Sequence, residues 1–184
     1  MRALFTLLPA RGSLQPLLPV AQALRARGHQ VALCSAPRLR RQVEAHGLAF
    51  LPAGLDWHVS DPDYIGVLCR AAGGLAFPPL AGPERFAWVI AHLFIGGAAR
   101  HMLPELIGVA RQWSADLIVR ESLEFAGCVA AEALGLPHAS VAAAADSALD
   151  RRRAAAVRPD PRRSRGRPAR RHHPPRHPLR ALGR

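Results

Sequence analysis

The chain has 184 residues and 49% apolar composition, enough for one domain with a buried core and too apolar for a disordered chain. Its formal charge of +12 suggests a nucleic-acid binder. Residues 1–150, however, hold 12 Arg and 12 acidic residues, and the whole excess lies in 151–184, so the body carries no basic footprint.

In chain order, Ala3–Leu8 reads as a buried strand, and Leu14, Leu17, Leu18, Ala21 and Leu24 recur at helical spacing. This predicts a helix over Leu14–Arg27 with Ser13 as N-cap, Pro16 in the first turn and Gly28 as the closing residue. Pro19 fits this helix less well and is expected to delay or kink it. Gln30–Ser35 is a second strand, Pro37–His46 a short helix closed by Gly47, and Leu48–Ala53 a third strand. A β-α-β-α-β order with short links implies a parallel sheet covered by helices. Gly54–Pro83, rich in Gly and Pro, is expected to be irregular. Glu84–Trp113 reads as largely helical, interrupted at Gly96–Gly97 and Pro104. Asp116–Val119 is a strand, Ser122–Leu134 a helix with Phe125, Ala126, Val129, Ala130 and Ala133 inward, and Pro137–Ala143 a fifth strand. The expected fold is an α/β single Rossmann-like doubly wound parallel sheet. It occupies domain 1–150. Residues 151–184, dominated by Arg, Pro and Ala, are expected to form a disordered basic tail.

Cys34, Cys69 and Cys128 are scattered, without a CxxC pair, which suits reduced thiols and a cytoplasmic location. The N-terminus lacks a cleavage site of the secretory kind. The longest apolar stretch, Phe86–Ala99, is short for a bilayer span, so no membrane association is expected. His92 and His101 have no ligand partner at i+4, and no metal is expected. The first strand–helix turn, "PARGSLQP", has one glycine and the chain has no Lys. Neither a G-x-G-x-x-G fingerprint nor a P-loop is present, so no nucleotide cofactor is expected in this loop. It still opens at the carboxyl end of the first strand, where open α/β sheets bind ligands.

Three stretches, "MRALFTLLPARGSLQPLLPVAQALRARGHQVALCSAP", "VEAHGLAFLPAGLDW" and "DLIVRESLEFAGCVAAEALGLPHASV", resemble the N-terminal half of GT-B fold glycosyltransferases of family 1. The likeness is to the bacterial macrolide and antibiotic type and covers residues 1–145. It implies an acceptor-binding half of an enzyme that moves a sugar from a nucleotide-sugar donor to a hydroxyl of a lipophilic natural product, without a metal. The donor would be bound only if a C-terminal domain were supplied, so the chain alone is expected to be inactive. In many relatives the residue after the Gly of the first loop is the general base; here Ser13 follows Gly12. In plant relatives an acid after the fourth strand orients that base, which places Glu121 in the role. Without the family, Ser13 is a helix cap and Glu121 a carboxylate favoured near a helix N-terminus.

Gly12, Trp57, Phe86 and Ile90 are the acceptor-binding candidates, and Trp57 is equally readable as core. Asp56 and His58 flank it without an evident catalytic role. The abrupt change near Asp150 is expected to mark a truncated or frameshifted product. Two alternatives stand beside this reading. One is a non-enzymatic module whose basic tail contacts nucleic acid, although that tail has no Phe, Tyr or Trp to stack on bases. The other is a different doubly wound enzyme using the same crevice.

Overall fold

The computed structural model describes residues 1–142. The basic segment 151–184, its expected disorder and the boundary at 150 lie outside the described residues, as does Ala143 of the predicted fifth strand. Five strands, β1 (Arg2–Thr6), β2 (Gln30–Ser35), β3 (Ala49–Pro52), β4 (Leu117–Glu121) and β5 (His138–Val141), form one sheet in the order β3-β2-β1-β4-β5. Every pairing is parallel, with Thr6 opposite Cys34 on one side and Arg120 on the other. The expected doubly wound sheet is therefore present. Its order reverses between β1 and β4: the chain runs outward from β1 to β3 and then crosses back to the other flank of β1 as β4.

Alternation along the strands assigns the two faces. Ala3, Phe5, Leu33 and Val119 pack with Leu14, Leu17, Leu39 and Val43 on one face. Leu4, Ala32 and Ile118 pack with Leu106, Ala110, Ala126 and Ala130 on the other. A third cluster, built on Leu8, Trp57, Leu68, Leu93 and Phe94, lies past the carboxyl ends of the strands. Burial of each large aliphatic side chain is worth roughly 1.5–3 kcal/mol.

The first helix departs from expectation. It is two pieces, α1 (Arg11–Leu14) and α2 (Leu17–Ala26), separated at Gln15–Pro16. Ser13 is inside α1 and is not an N-cap; Ala10 holds that position with no side-chain bond. Pro16 is the N-cap of α2, so Pro19 falls in its first turn, where a missing N–H breaks no bond. Gly28, at φ 81°, ends α2 as expected, with the His29 N–H bonded to the Leu24 carbonyl and the Gly28 N–H to Arg25. A 3₁₀ turn (Pro37–Leu39) leads into α3 (Arg40–Glu44).

Three later stretches also depart from expectation. Gly54–Pro83 is not wholly irregular, because it contains α4 (Tyr64–Ala71). Its helical signal, Ile65, Leu68 and Cys69, is only two turns long. Ahead, α5 (Gly82–Trp88), a π-helical segment (Val89–Ala99) and α6 (Arg100–Gln112) run on as one helix of 31 residues. Gly96–Gly97 is absorbed into the wide π turns rather than breaking the helix, and Pro104 is carried inside α6. By length and composition this is one helix among the described residues able to cross a bilayer, which the 14-residue apolar stretch did not anticipate. In the fold it buries Leu93, Phe94, Gly97, Ala98, Met102, Leu106 and Ala110 against the body. Finally, α7 (Ala126–Leu134) begins four residues later than predicted. It buries Ala126, Gly127, Ala130 and Ala131, while Val129 is 48% exposed and Ala133 is exposed, not inward.

Candidate functional site

The site is built where the sheet order reverses, from the loop after β1, the loop after β3 and residues 122–125 after β4. Sequence reasoning overlooked its central residue. Glu124 is 1% exposed and closes the N-terminus of α7. Its carboxylate accepts the Ala126 N–H at 2.5 Å and the Gly127 N–H at 2.9 Å. The Thr6 hydroxyl, from the end of β1, donates to the same group. Burial pushes the Glu124 carboxyl above the usual carboxylate range, against the pull of the Thr6, Gly127 and Ala126 hydrogen bonds and the Arg120 charge. The signal available in sequence was an acid two residues before a small-residue helix, "EFAG", and it was obscured by placing the helix start at Ser122.

This arrangement has a chemical consequence. The free N–H groups of a helix at a switch point would otherwise bind a phosphate. Here the chain's own carboxylate fills that position.

Arg120 shapes the loop from beneath. Its Nη1 donates to the carbonyls of Ser122 at 3.1 Å and Glu124 at 2.7 Å, and its guanidinium lies 5.7 Å from the centroid of the Phe125 ring. Glu121, fully buried, shares its side of β4 with Leu117 and Val119, the face that also carries Leu14 and Leu17. Glu121 Oε1 accepts from the Ser122 hydroxyl at 3.0 Å and the Leu123 N–H at 2.8 Å. Glu121 Oε2 is buried with no hydrogen-bond partner among the described residues. A buried carboxylate oxygen without a donor is costly.

Beside these groups lies an apolar pocket lined by Leu8, Pro9, Trp57, Phe94, Met102 and Phe125, with Glu124 in its wall. Trp57, 3% exposed, is stacked on Tyr64 at 6.1 Å and on Phe94 at 6.5 Å between ring centroids. Trp57 is buried, as its core reading expects, and its ring also forms part of the pocket wall. The space left is about 10 Å³, the room of a single water.

The other sequence candidates are placed as follows. Ser13 is 7% exposed, in α1. Gly12 precedes it in open surroundings, where an added methyl would meet nothing within 4 Å. Ile90 packs at the edge of the third cluster. Phe86 is 49% exposed on α5, and neither it nor Ile90 lines the pocket. Asp56 and His58 point to structural partners: Asp56 accepts the Arg38 N–H at 3.1 Å, and the His58 ring is held by Ser60 and Gln42. Among the described residues no group of three His, Cys, Asp or Glu side chains is arranged to hold a metal.

A parallel sheet of this order, with helices on both faces, is a Rossmann-like domain of the kind found in GT-B glycosyltransferases. The chain belongs to the family described as erythromycin biosynthesis protein CIII-like, N-terminal domain, whose model matches residues 84–182. The resemblance seen in the three sequence segments is thereby confirmed. The chain is 33% identical over 150 residues to an erythronolide mycarosyltransferase of Saccharopolyspora erythraea, covering 76% of this chain and 36% of that protein. It is 32% identical over 166 residues to an aklavinone 7-beta-L-rhodosaminyltransferase of Streptomyces galilaeus, covering 84% of this chain and 37% of that protein. Among solved structures, the glycosyltransferase SsfS6 of Streptomyces sp. SF2575 superposes with a TM-score of 0.64 at 27% identity, over 77% of this chain and 39% of its own. The glycosyltransferase VinC, in complex with dTDP, gives a TM-score of 0.55 at 29% identity, over 79% and 35%. The chain thus spans a little over a third of the length of these relatives.

Proposed function

We propose that the described residues form the acceptor-binding domain of an antibiotic-type glycosyltransferase, which orients a hydroxyl of a lipophilic aglycone for attack on an activated deoxysugar. The observation that carries this reading is the aromatic pocket of Trp57, Phe94 and Phe125 set at the switch point, with the adjacent helix N-terminus already occupied by Glu124. An apolar wall with few polar groups suits a polyketide-like body. A self-filled anion site does not suit a nucleotide. In this reading the nucleotide-sugar donor is held by a region equivalent to the remaining length of the relatives, and the pocket is the floor of the acceptor site. An aglycone enters it by separating Trp57 from Phe94 and Tyr64.

Attack by the acceptor oxygen on the anomeric carbon releases a hydroxyl proton while the sugar–phosphate bond breaks. A serine hydroxyl cannot keep that proton near neutral pH. In this reading Ser13 is not the base; the proton passes to water, and the diphosphate leaves with the electron pair of the broken bond.

The test is intrinsic tryptophan fluorescence during titration of the full chain with aklavinone or tylactone, aglycones for which relatives are named. Saturable change, weakened about tenfold or more by Phe94→Ala, is expected from the loss of one buried aromatic contact. An unchanged spectrum with every aglycone would overturn the proposal.

A further inference from the structure

A second, open cleft is lined by residues of α1, α3 and the segment after β3. It encloses about 520 Å³ and is lined by Arg11, Leu14, Gln15, Gln42, Ala45, His46, His58 and Ser60. None of these residues lines the apolar pocket. The volume falls within the roughly 300–1,000 Å³ of small-molecule sites. We propose that this cleft binds a small molecule through a phosphate or carboxylate group, gripped by Arg11, Gln42 and His46.

The wall is one-sided in its chemistry. Six of its eight residues carry side-chain hydrogen-bond donors, and none is an acid. The carboxylates nearby in sequence are committed elsewhere. Glu44 pairs with Arg40 at 3.1 Å, Asp61 pairs with Arg38 at 3.0 Å, and Asp56 lies 3.7 Å from the same arginine. Arg11, exposed on α1, has no carboxylate within 4 Å among the described residues. An arginine fork with no carboxylate partner among the described residues, lining a donor-rich cleft, is suited to an oxyanion.

Part of the wall is preorganised. His58 is 9% exposed, and its Nδ1 accepts the Ser60 backbone N–H at 3.2 Å and meets the Ser60 hydroxyl at 2.6 Å. Its Nε2 lies 3.2 Å from the Gln42 Nε2, and the second N–H of that amide is left for a ligand. Leu14 and Ala45 provide a small apolar floor. No Phe, Tyr or Trp lines the cleft, so a nucleobase would find no stacking partner. The ligand is therefore an anionic head on a short body. This inference does not depend on the acceptor-site reading.

The experiment is a site-resolved NMR titration of the full chain with inorganic phosphate, glycerol 1-phosphate and acetate in separate arms. Saturable shifts at Arg11, Gln15, Gln42, His46, His58 and Ser60 are expected. Response to both phosphates alone assigns a phosphate ligand; response to acetate as well assigns a general carboxylate or phosphate site. Arg11→Gln should weaken binding by about tenfold or more, as loss of a charged hydrogen-bond donor requires. Gln42→Glu, which adds a carboxylate to the wall, should abolish it. Arg70→Gln, at a residue paired with Asp63 on α4, should change nothing. Shifts confined to the arginines of 151–184, shifts that do not saturate, or an Arg11→Gln affinity equal to the parent would each overturn the proposal.

Discussion

Glu124 joins two elements with one carboxylate, β1 through Thr6 and the α7 N-terminus through Ala126 and Gly127, while its main-chain carbonyl accepts from Arg120. The ordinary value of such a carboxyl is 4.5, and burial raises it in the folded chain. The folded state therefore keeps a proton that the unfolded state has lost. Its stabilising contribution is complete below about 4.5 and falls as pH rises through the folded value. Glu124→Gln should flatten this part of the pH dependence, seen as the difference between variant and parent in urea unfolding across pH 4.5 to 7. It should also cost about 1–3 kcal/mol, because an amide NH₂ would confront a backbone N–H now bonded to oxygen. A variant whose pH profile parallels the parent's would show that Glu124 does not titrate in this way. Gly127→Ala tests the same joint from the other side. A methyl there runs into Thr6 Oγ1 and Glu124 Oε2, and a loss of about 1–3 kcal/mol in unfolding free energy is expected from overpacking.

At the scale of elements, the 31-residue helix is the feature least visible in the sequence. Its helical character over Glu84–Trp113 was readable from spacing. Its continuity was not, because Gly96–Gly97 and Pro104 are the ordinary marks of a break. Tertiary packing overrides them: at Gly97 an added Cβ would sit 2.9 Å from the Leu68 carbonyl oxygen, so α4 and the π segment meet there backbone to backbone. Gly97→Ala should force the two apart and lower stability by about 1–3 kcal/mol. Leu106→Ala, at a fully buried position, should cost about 2–5 kcal/mol. Ile95→Ala, at 44% exposure, should stay within about 0.5 kcal/mol in the same denaturation series. The strands and the ends of α2 and α7 were legible for the opposite reason, since apolar runs and terminal glycines are local signals. Helix α4 is too short to show a period. The start of α7 was misplaced because Glu124, which precedes its N-cap Phe125, is an acid of the kind that first turns of helices also carry.

For the whole molecule, sheet order and switch point follow from the alternation of strands and helices, and family membership from three separated segments. The placement of Glu121 on the face shared with Leu14 was also within reach of strand alternation. What could not be read in advance is which side chains converge from distant loops. Trp57, Phe94 and Phe125 meet only because the segment after β3, the long helix and residues 122–125 fold over one edge of the sheet. The presence of two chemically different clefts, one apolar and one donor-lined, was equally hidden, since Arg11, Gln42 and His58 come from three separate elements. The direct measurement is the location of a bound aglycone by site-resolved NMR on the full chain. Shifts at Leu8, Trp57, Phe94, Met102 and Phe125 are predicted, with the cleft of Arg11 and His58 undisturbed. An aglycone that binds without perturbing the aromatic pocket, or that binds only the donor-lined cleft, would contradict the assignment of this domain to acceptor binding.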